Sequence, residues 1–200
     1  MGEAYLFVSL PLLTLFISMC LNHQAFYGMF QDLVTKLKRP DNISNRKELL
    51  FELIRFHASI KKWFLDSAEV YGSFIMILLI STIIYLSCVL FQLDLQLKHI
   101  DFRILFLLLA FSISLLTLFL YCFFGKLANE SYDKMCGCLY RSNWYELPVE
   151  LQKCFILMIG NAKRPMFYRG FSVARLDLET FSKIIKSIVT YYMAFKTITQ

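Results

Sequence analysis

Residues 70–93 read VYGSFIMILLISTIIYLSCVLFQL, and residues 104–125 read ILFLLLAFSISLLTLFLYCFFG. Neither stretch contains Asp, Glu, Lys or Arg. Each exceeds the roughly 20 residues that a helix needs to span about 30 Å of hydrocarbon. Because lipid offers no hydrogen-bond partner to the backbone, a stretch that crosses it in this way must be helical. The two stretches therefore predict membrane spans of an all-α transmembrane bundle.

The composition of the whole chain agrees with a membrane location. Of the 200 residues, 58% are hydrophobic and 20 are Phe, whereas an average soluble domain is about 45–50% apolar. A soluble fold would expose much of this apolar surface to water, but side chains that face lipid should be apolar. The sequence therefore predicts a multi-pass protein of the cell membrane, embedded in the lipid bilayer.

Two further stretches are weaker candidates for spans. Residues 4–22 are apolar but short and contain Pro11. A secretory signal peptide is the alternative there, although its usual basic start is missing, since Glu3 precedes the apolar run without Lys or Arg. Residues 177–200 are apolar apart from a few charged residues, mostly lysines. We predict about four spans, at residues 4–22, 70–93, 103–125 and 177–200.

Basic residues indicate the orientation of these spans. They accumulate in the long connections 23–69 and 126–176, whereas the short link 94–102 holds only Lys98. Because Lys and Arg collect on the inner side, the long connections are predicted to be cytoplasmic and the link extracellular. The net charge of +6 suits an anionic membrane surface. A nucleic-acid partner would require a basic face on a soluble fold, and the sequence does not indicate one.

Both long connections contain helical patterns. Apolar residues recur at helical spacing over 43–69, so we predict one long helix that continues into the second span. His57 lies beside this apolar stripe and is interpreted as a partly buried histidine, with a proton or ligand site as the alternative. Residues 148–162 predict a short amphipathic helix. Since it is too short to span and too apolar for water, we interpret it as an assembly module that packs on a neighbouring copy or on other cytoplasmic helices.

The final span carries a stripe of small and polar side chains. At 100° per residue the stripe covers a sector of about 100°, and it includes Ser187, Thr190, Ala194, Thr197 and Ile198. Small residues and hydroxyls permit close helix packing. They also suit a pore lining, in which hydroxyls face water and an apolar ring forms the gate. The residues alone leave both alternatives open.

The sequence contains no enzyme signature. The patterns G-x-x-x-x-G-K-S/T, H-E-x-x-H and G-x-S-x-G are missing. The spacing of Cys136-Gly-Cys138 differs from that of a CxxC redox or zinc pair. The spans 70–93 and 104–125 lack the charged residues expected of proton relays. We therefore predict no catalytic residues, no metal site and no cofactor.

Four stretches together resemble the insect odorant receptors, a family of seven-span chemosensory receptors. The stretches are residues 54–60 with Cys88 and 91–93, residues 121–125, SNWYELP at 142–148 with 157–159 and Arg164-Pro165, and residues 178–181 with 190–192. The resemblance covers most of the chain and corresponds to the C-terminal half of a member. It implies that the four spans match the last four of seven, and that this is a partial sequence.

The resemblance also implies a function. Members form ligand-gated, non-selective cation channels as heterotetramers with a shared co-receptor, in the dendrites of olfactory neurons, and the last helix lines the pore. It therefore favours a pore role for the final helix, with the gate at Ala194 and Ile198. A subunit anchor is implied at Trp144, Tyr145, Leu151, Phe155 and Met158. A pocket for a volatile odorant is expected to include Ser81, Tyr85 and Ser87.

Two alternatives to an odorant receptor subunit remain. A gustatory receptor of the same superfamily typically has T-Y-h-h-x-h-x-Q-F on its last helix, where h is apolar. Residues 190–196, TYYMAFK, depart from that pattern after the opening pair, which favours the odorant class. A membrane scaffold that does not conduct ions is the other alternative.

Overall fold

The chain is almost wholly helical in the computed structural model, which describes residues 2–37, 43–96, 102–163, 169–170 and 174–199. The helices are α1 (Gly2–Leu37), α2 (Ile43–Gln96), α3 (Phe102–Tyr140), α4 (Val149–Ala162) and α5 (Leu178–Thr199). A 3-10 turn, Trp144–Glu146, precedes α4. Two short strands, β1 (Arg169–Gly170) and β2 (Ala174–Arg175), pair antiparallel before α5. The predicted all-α bundle is confirmed.

The long helices combine predicted spans with parts of the connections. Helix α2 is unbroken from Ile43 to Gln96, so the helical pattern of 43–69 and the span 70–93 do form one helix. Helix α3 continues past residue 125 to Tyr140. Helix α1 accommodates Pro11, whose carbonyl accepts a 2.8 Å hydrogen bond from the Thr14 hydroxyl.

Three helices of the described chain are long and apolar enough to cross a membrane. They occupy Val8–Leu37, Arg46–Gln96 and Phe102–Glu146. Helix α5 is not among them, because its lysines add too many charges to a 22-residue helix. Its assignment as a fourth span stays a prediction. Lys98, Arg164 and Pro165 lie outside the described residues.

The chain divides into two compact units. The first, which we call the span unit, comprises Met1–Ser18, Val70–Lys126 and Arg169–Gln200. Large apolar side chains on its α2 segment, such as Phe74, Ile77 and Ile84, are more than half exposed. In a soluble protein such a surface would promote aggregation, whereas lipid solvates it. The exposed stripe therefore supports the assignment of residues 70–93 as a membrane span.

The second unit, which we call the connection unit, comprises Met19–Glu69 and Leu127–Tyr168. Its core holds a cluster of aromatic rings and histidines. The ring of His57 is 6.0 Å from that of Phe30 and 6.3 Å from that of Tyr132, measured between centroids. His57 is only 4% exposed, so it is more deeply buried than the partly buried histidine that the sequence predicts, and the alternative of a proton or ligand site stays a prediction.

The sequence SNWYELP forms a tight connection between α3 and α4. The hydroxyl of Ser142 donates to the Leu139 carbonyl at 2.7 Å, close to the end of α3. The side-chain amide of Gln152 donates back to the carbonyls of Tyr145 and Leu147 at 2.8 and 2.7 Å. These bonds satisfy carbonyls that no helix uses. Helix α4 then begins at Val149, directly after the proline, within a residue of its predicted start.

Candidate functional site

The start of α5 is positioned by two local features. The Asp177 carboxylate accepts a 2.8 Å hydrogen bond from the backbone N–H of Thr180, which satisfies a donor in the first turn of the helix. The preceding residue, Leu176, is buried against Gly125 of α3, where a Cβ atom would lie only 2.7 Å from the Leu176 Cβ. Gly125 therefore permits a close approach that a larger residue would obstruct.

One face of α5 packs inside the span unit. Ile184 and Ile188 are buried. The rings of Phe181 and Phe119 have centroids 5.7 Å apart, with nearly perpendicular planes. All of these α5 residues belong to the apolar face that helical projection places opposite the polar stripe.

The polar stripe of α5 lies away from this packed face. Ser187 is half-buried, whereas Thr190, Ala194, Thr197 and Ile198 are exposed. The Ser187, Thr190 and Thr197 hydroxyls donate to carbonyls one turn earlier in α5, at 3.1, 2.9 and 2.9 Å. In the described chain the C-terminal part of the stripe, from Thr190 to Ile198, is thus not used for packing against another helix of the same unit.

Two polar contacts connect α5 to α2. The Ser87 hydroxyl, which is fully buried, donates to the Ile83 carbonyl of its own helix at 2.7 Å and to the Ile188 carbonyl of α5 at 3.2 Å. Nearer the C-terminal ends of both helices, Lys196 Nζ lies 2.8 Å from Asp94 Oδ2. Hydropathy had identified neither contact, because the partners are about a hundred residues apart in the sequence.

The three residues proposed for the odorant pocket make hydrogen bonds within the helices or between them. Ser81 donates to the Leu78 carbonyl of α2 at 2.9 Å. Tyr85 is hydrogen bonded to Ser114 of α3, and the Ser114 hydroxyl donates to the Ala110 carbonyl at 2.9 Å. Ser87 contacts α5 as described above. None of these three residues lines the cavity at the ends of α2 and α3 that is described next.

A cavity of about 450 Å³ lies between the C-terminal end of α2 and the N-terminal end of α3. Its lining residues are Gln92, Gln96, Phe102, Arg103, Phe106 and Leu107. Among the described residues, the buried Oε1 of Gln96 has no hydrogen-bond partner. Sequence reasoning had missed these residues. The available signal was the change from apolar to polar residues at the ends of the two spans.

Within the connection unit, α4 turns its predicted apolar face inward. Leu151, Phe155 and Met158 are buried in the unit's own core, Trp144 is half-buried, and Tyr145 is exposed. The apolar residues on the outer side of α4 are Val149, Ile156 and Leu157. Of the two packing partners considered for this helix, the chain's own helices therefore account for Leu151, Phe155 and Met158.

The described residues show no arrangement suited to catalysis with a metal. No group of three or more His, Cys, Asp or Glu residues is close enough to hold an ion in the described ranges. All six cysteines are free thiols. The features that stand out are a helix with an exposed hydroxyl stripe and a cavity at the ends of two spans.

Fold and site together define a polytopic helical membrane protein whose final helix presents a polar stripe. The chain belongs to the odorant receptor family, since the family profile described as 7tm Odorant receptor matches residues 5–189. It is also similar to a putative odorant receptor, 83c, of Drosophila melanogaster, with 25% identity over 156 residues. That alignment covers 76% of this chain and 37% of the relative, so the chain spans well under half of the length of that curated relative.

Proposed function

We propose that this chain is part of an odorant receptor subunit that forms a ligand-gated, non-selective cation channel with the shared co-receptor. The observation that carries the proposal is the division of α5 into two faces. Ile184 and Ile188 pack inward, whereas Thr190 and Thr197 are exposed and Ser187 is half-buried. Each of these three hydroxyls donates to a carbonyl of its own helix. Hydroxyls arranged in this way can contact water and ions in a pore formed by several subunits.

Family membership favours the pore over simple helix packing. The matching profile is that of odorant receptors and covers α5 as far as Val189, which favours the odorant class over a gustatory receptor. In the proposed channel, Ser187, Thr190 and Thr197 line the pore, and Ala194 and Ile198 are gate positions. Ala194 is small, so this subunit contributes less to an apolar seal than a larger residue would.

The pore assignment is tested by cysteine accessibility. Thr190→Cys, Thr197→Cys and Ile188→Cys are placed in the complete receptor that carries this chain, and odorant-evoked currents are recorded with the co-receptor. A charged thiol reagent applied outside should block the two threonine variants and spare the Ile188 variant, because Ile188 is only 3% exposed. The unsubstituted receptor is the reagent control, since Cys88 is exposed. Equal indifference of the three variants would contradict the pore.

The cavity between α2 and α3 is the proposed site for the volatile ligand. Phe102, Phe106 and Leu107 offer apolar contact, and Gln96 Oε1 can accept a hydrogen bond. Pockets of this size and lining bind small molecules with one or two polar groups. We expect small alcohols to suit the cavity, with the hydroxyl donating to Gln96.

Substitution of the cavity lining tests this site separately from the pore. Gln96→Leu should raise the half-maximal concentration of an alcohol ligand about tenfold, as expected for a lost buried hydrogen bond of roughly 1–1.5 kcal/mol, and should change that of a matched hydrocarbon less. Ser81→Ala is the control, because the Ser81 hydroxyl bonds its own helix. If Ser81→Ala and Gln96→Leu have equal effects, the ligand binds elsewhere.

For assembly, we propose that the outer side of α4 and the turn before it contact a neighbouring subunit. Tyr145, Val149, Ile156 and Leu157 are exposed by 63, 66, 52 and 73%, which is a large apolar area for a helix outside the membrane. Leu157→Glu should then reduce co-purification of the co-receptor without unfolding the chain. Lys62→Glu, at an exposed charged position of α2 in the same unit, is the control. A non-conducting scaffold remains the outcome if assembly occurs and no odorant evokes a current.

A further inference from the structure

Helix α2 and helix α5 are joined along a seam of three contacts. In chain order these are Ser87 with the Ile188 carbonyl, Phe91 with Phe195, and Asp94 with Lys196. The order is the same along both helices, so they run parallel here. The seam ends at the ion pair, beside the part of α5 that carries the proposed gate positions.

The Asp94–Lys196 ion pair is well defined at both ends. Lys196 Nζ lies 2.8 Å from Asp94 Oδ2, and the two side chains are 37% and 33% exposed. The same ammonium donates to the Tyr192 hydroxyl at 3.4 Å and lies 5.8 Å from the centroid of the Tyr192 ring. Lys196 is therefore held on the side of α5 that faces α2.

The position of Lys196 allows the ion pair to influence where the proposed gate positions lie. Lys196 lies between Ala194 and Ile198 in the chain, and two residues of helix rotate it by about 200° from Ala194. The attraction of Lys196 to Asp94 thus pulls the C-terminal end of α5 towards α2. This movement is away from the side that the polar stripe faces. The Glu179–Lys183 ion pair, at 2.7 Å, cannot position α5 against α2, because both of its residues belong to α5 itself.

We propose that Asp94 and Lys196 are positioning residues whose ion pair holds the gate-bearing end of α5 against α2 and so favours the open pore. This inference rests on the proposed channel function. When the pair is broken, that end of α5 is free to move towards the pore axis, and opening then requires more ligand. The pair acts through the position of α5 and need not touch the permeating ion.

Concentration–response curves of the complete receptor with its co-receptor test the coupling. Asp94→Asn and Lys196→Met should each raise the half-maximal odorant concentration by about 1.4- to 5-fold, the range that measured energies of exposed ion pairs imply. The double variant should be no worse than the more affected single variant, because both remove the same interaction. Exchange of the charges, Asp94→Lys with Lys196→Asp, should restore the wild-type value. Glu179→Gln is the control and should leave it unchanged.

The contact itself can be tested without any current. In a Cys88→Ser background, Asp94→Cys with Lys196→Cys should be joined within one chain by a short bismaleimide, and mass spectrometry of the digested receptor should detect the linked peptides. Asp94→Cys with Thr190→Cys is the control pair, because Thr190 lies on the exposed stripe, and it should give little product.

The two experiments separate failure of this inference from failure of the proposed function. If the 94–196 link forms and no odorant evokes a current, the channel function is wrong, and the proposed coupling to the gate is wrong as well. The contact between Asp94 and Lys196 is then still supported. If wild-type currents are normal but the single variants do not shift the curve, or their shifts simply add, the positioning role is overturned. Absence of the 94–196 link overturns the contact.

Discussion

Gly125 is the position at which a single added methyl group tests the packing that brings α5 into place. In Gly125→Ala the new Cβ would lie 2.7 Å from the Leu176 Cβ and 3.2 Å from the Leu176 carbonyl oxygen. Carbon atoms in contact normally stay about 3.5–4.0 Å apart. Leu176 is buried and directly precedes the Asp177 cap, so it has little freedom to move aside.

Two opposing terms set the size of the effect. Overpacking of a tight site costs about 1–3 kcal/mol. Replacement of Gly by Ala inside a helix stabilises it by about 1 kcal/mol. The free energy of unfolding should therefore fall by about 0–2 kcal/mol. At about 2–4 °C per kcal/mol for a chain of this size, the apparent melting temperature falls by up to about 8 °C.

The measurement is the loss of helical circular dichroism on heating in detergent, with Gly160→Ala as the matched control. A Cβ at Gly160 would meet nothing within 4 Å, so only the helix-propensity gain remains and the apparent melting temperature should rise by about 2–4 °C. Gly125→Leu should destabilise more than Gly125→Ala, because its side chain is larger. If Gly125→Ala and Gly160→Ala raise the melting temperature equally, the close approach to Leu176 does not exist.

Three further substitutions are expected to change stability in the same heating assay. Asp177→Ala removes the cap of α5 and should cost about 1 kcal/mol, whereas Asp177→Asn should retain most of it. Phe155→Ala empties a fully buried site and should cost about 3–5 kcal/mol, while Leu157→Ala at an exposed site should stay within about 0.5 kcal/mol. Ser87→Ala removes the hydrogen bond to the Ile188 carbonyl and should cost about 0.6 kcal/mol, the average for such bonds in membranes; no loss would show that the α2–α5 contact is not formed.

Local patterns in the sequence were enough to predict most of the helical segments. The uncharged stretches lie within α2 and α3, the helical spacing over 43–69 belongs to α2, and the amphipathic segment after Pro148 forms α4. Helices α1 and α3 continue well past the predicted ends of their spans, to Leu37 and Tyr140. Each of these patterns depends on residues within a few turns of one another, and hydropathy and periodicity report such local properties directly. The capping residue Asp177 is also a local signal, since it lies three residues before the N–H group that it accepts from.

Tertiary structure decided which residues meet. The sequence could assign Leu151, Phe155 and Met158 to one face of α4, but only the fold shows that this face is buried in the chain's own core. The hydrogen bond of Ser87 and the ion pair of Asp94 join residues about a hundred positions apart.

By itself, then, the sequence determined the class of fold, the membrane setting and the resemblance to odorant receptors. Only the tertiary structure showed that most of the stripe of α5 is exposed, that Gly125 packs closely against Leu176, and that a cavity lies between α2 and α3. The physical reason is that hydrophobic burial and backbone hydrogen bonding act along each helix. Contacts between helices depend instead on how the helices are rotated and aligned against each other, which the spacing of apolar residues within one helix does not specify.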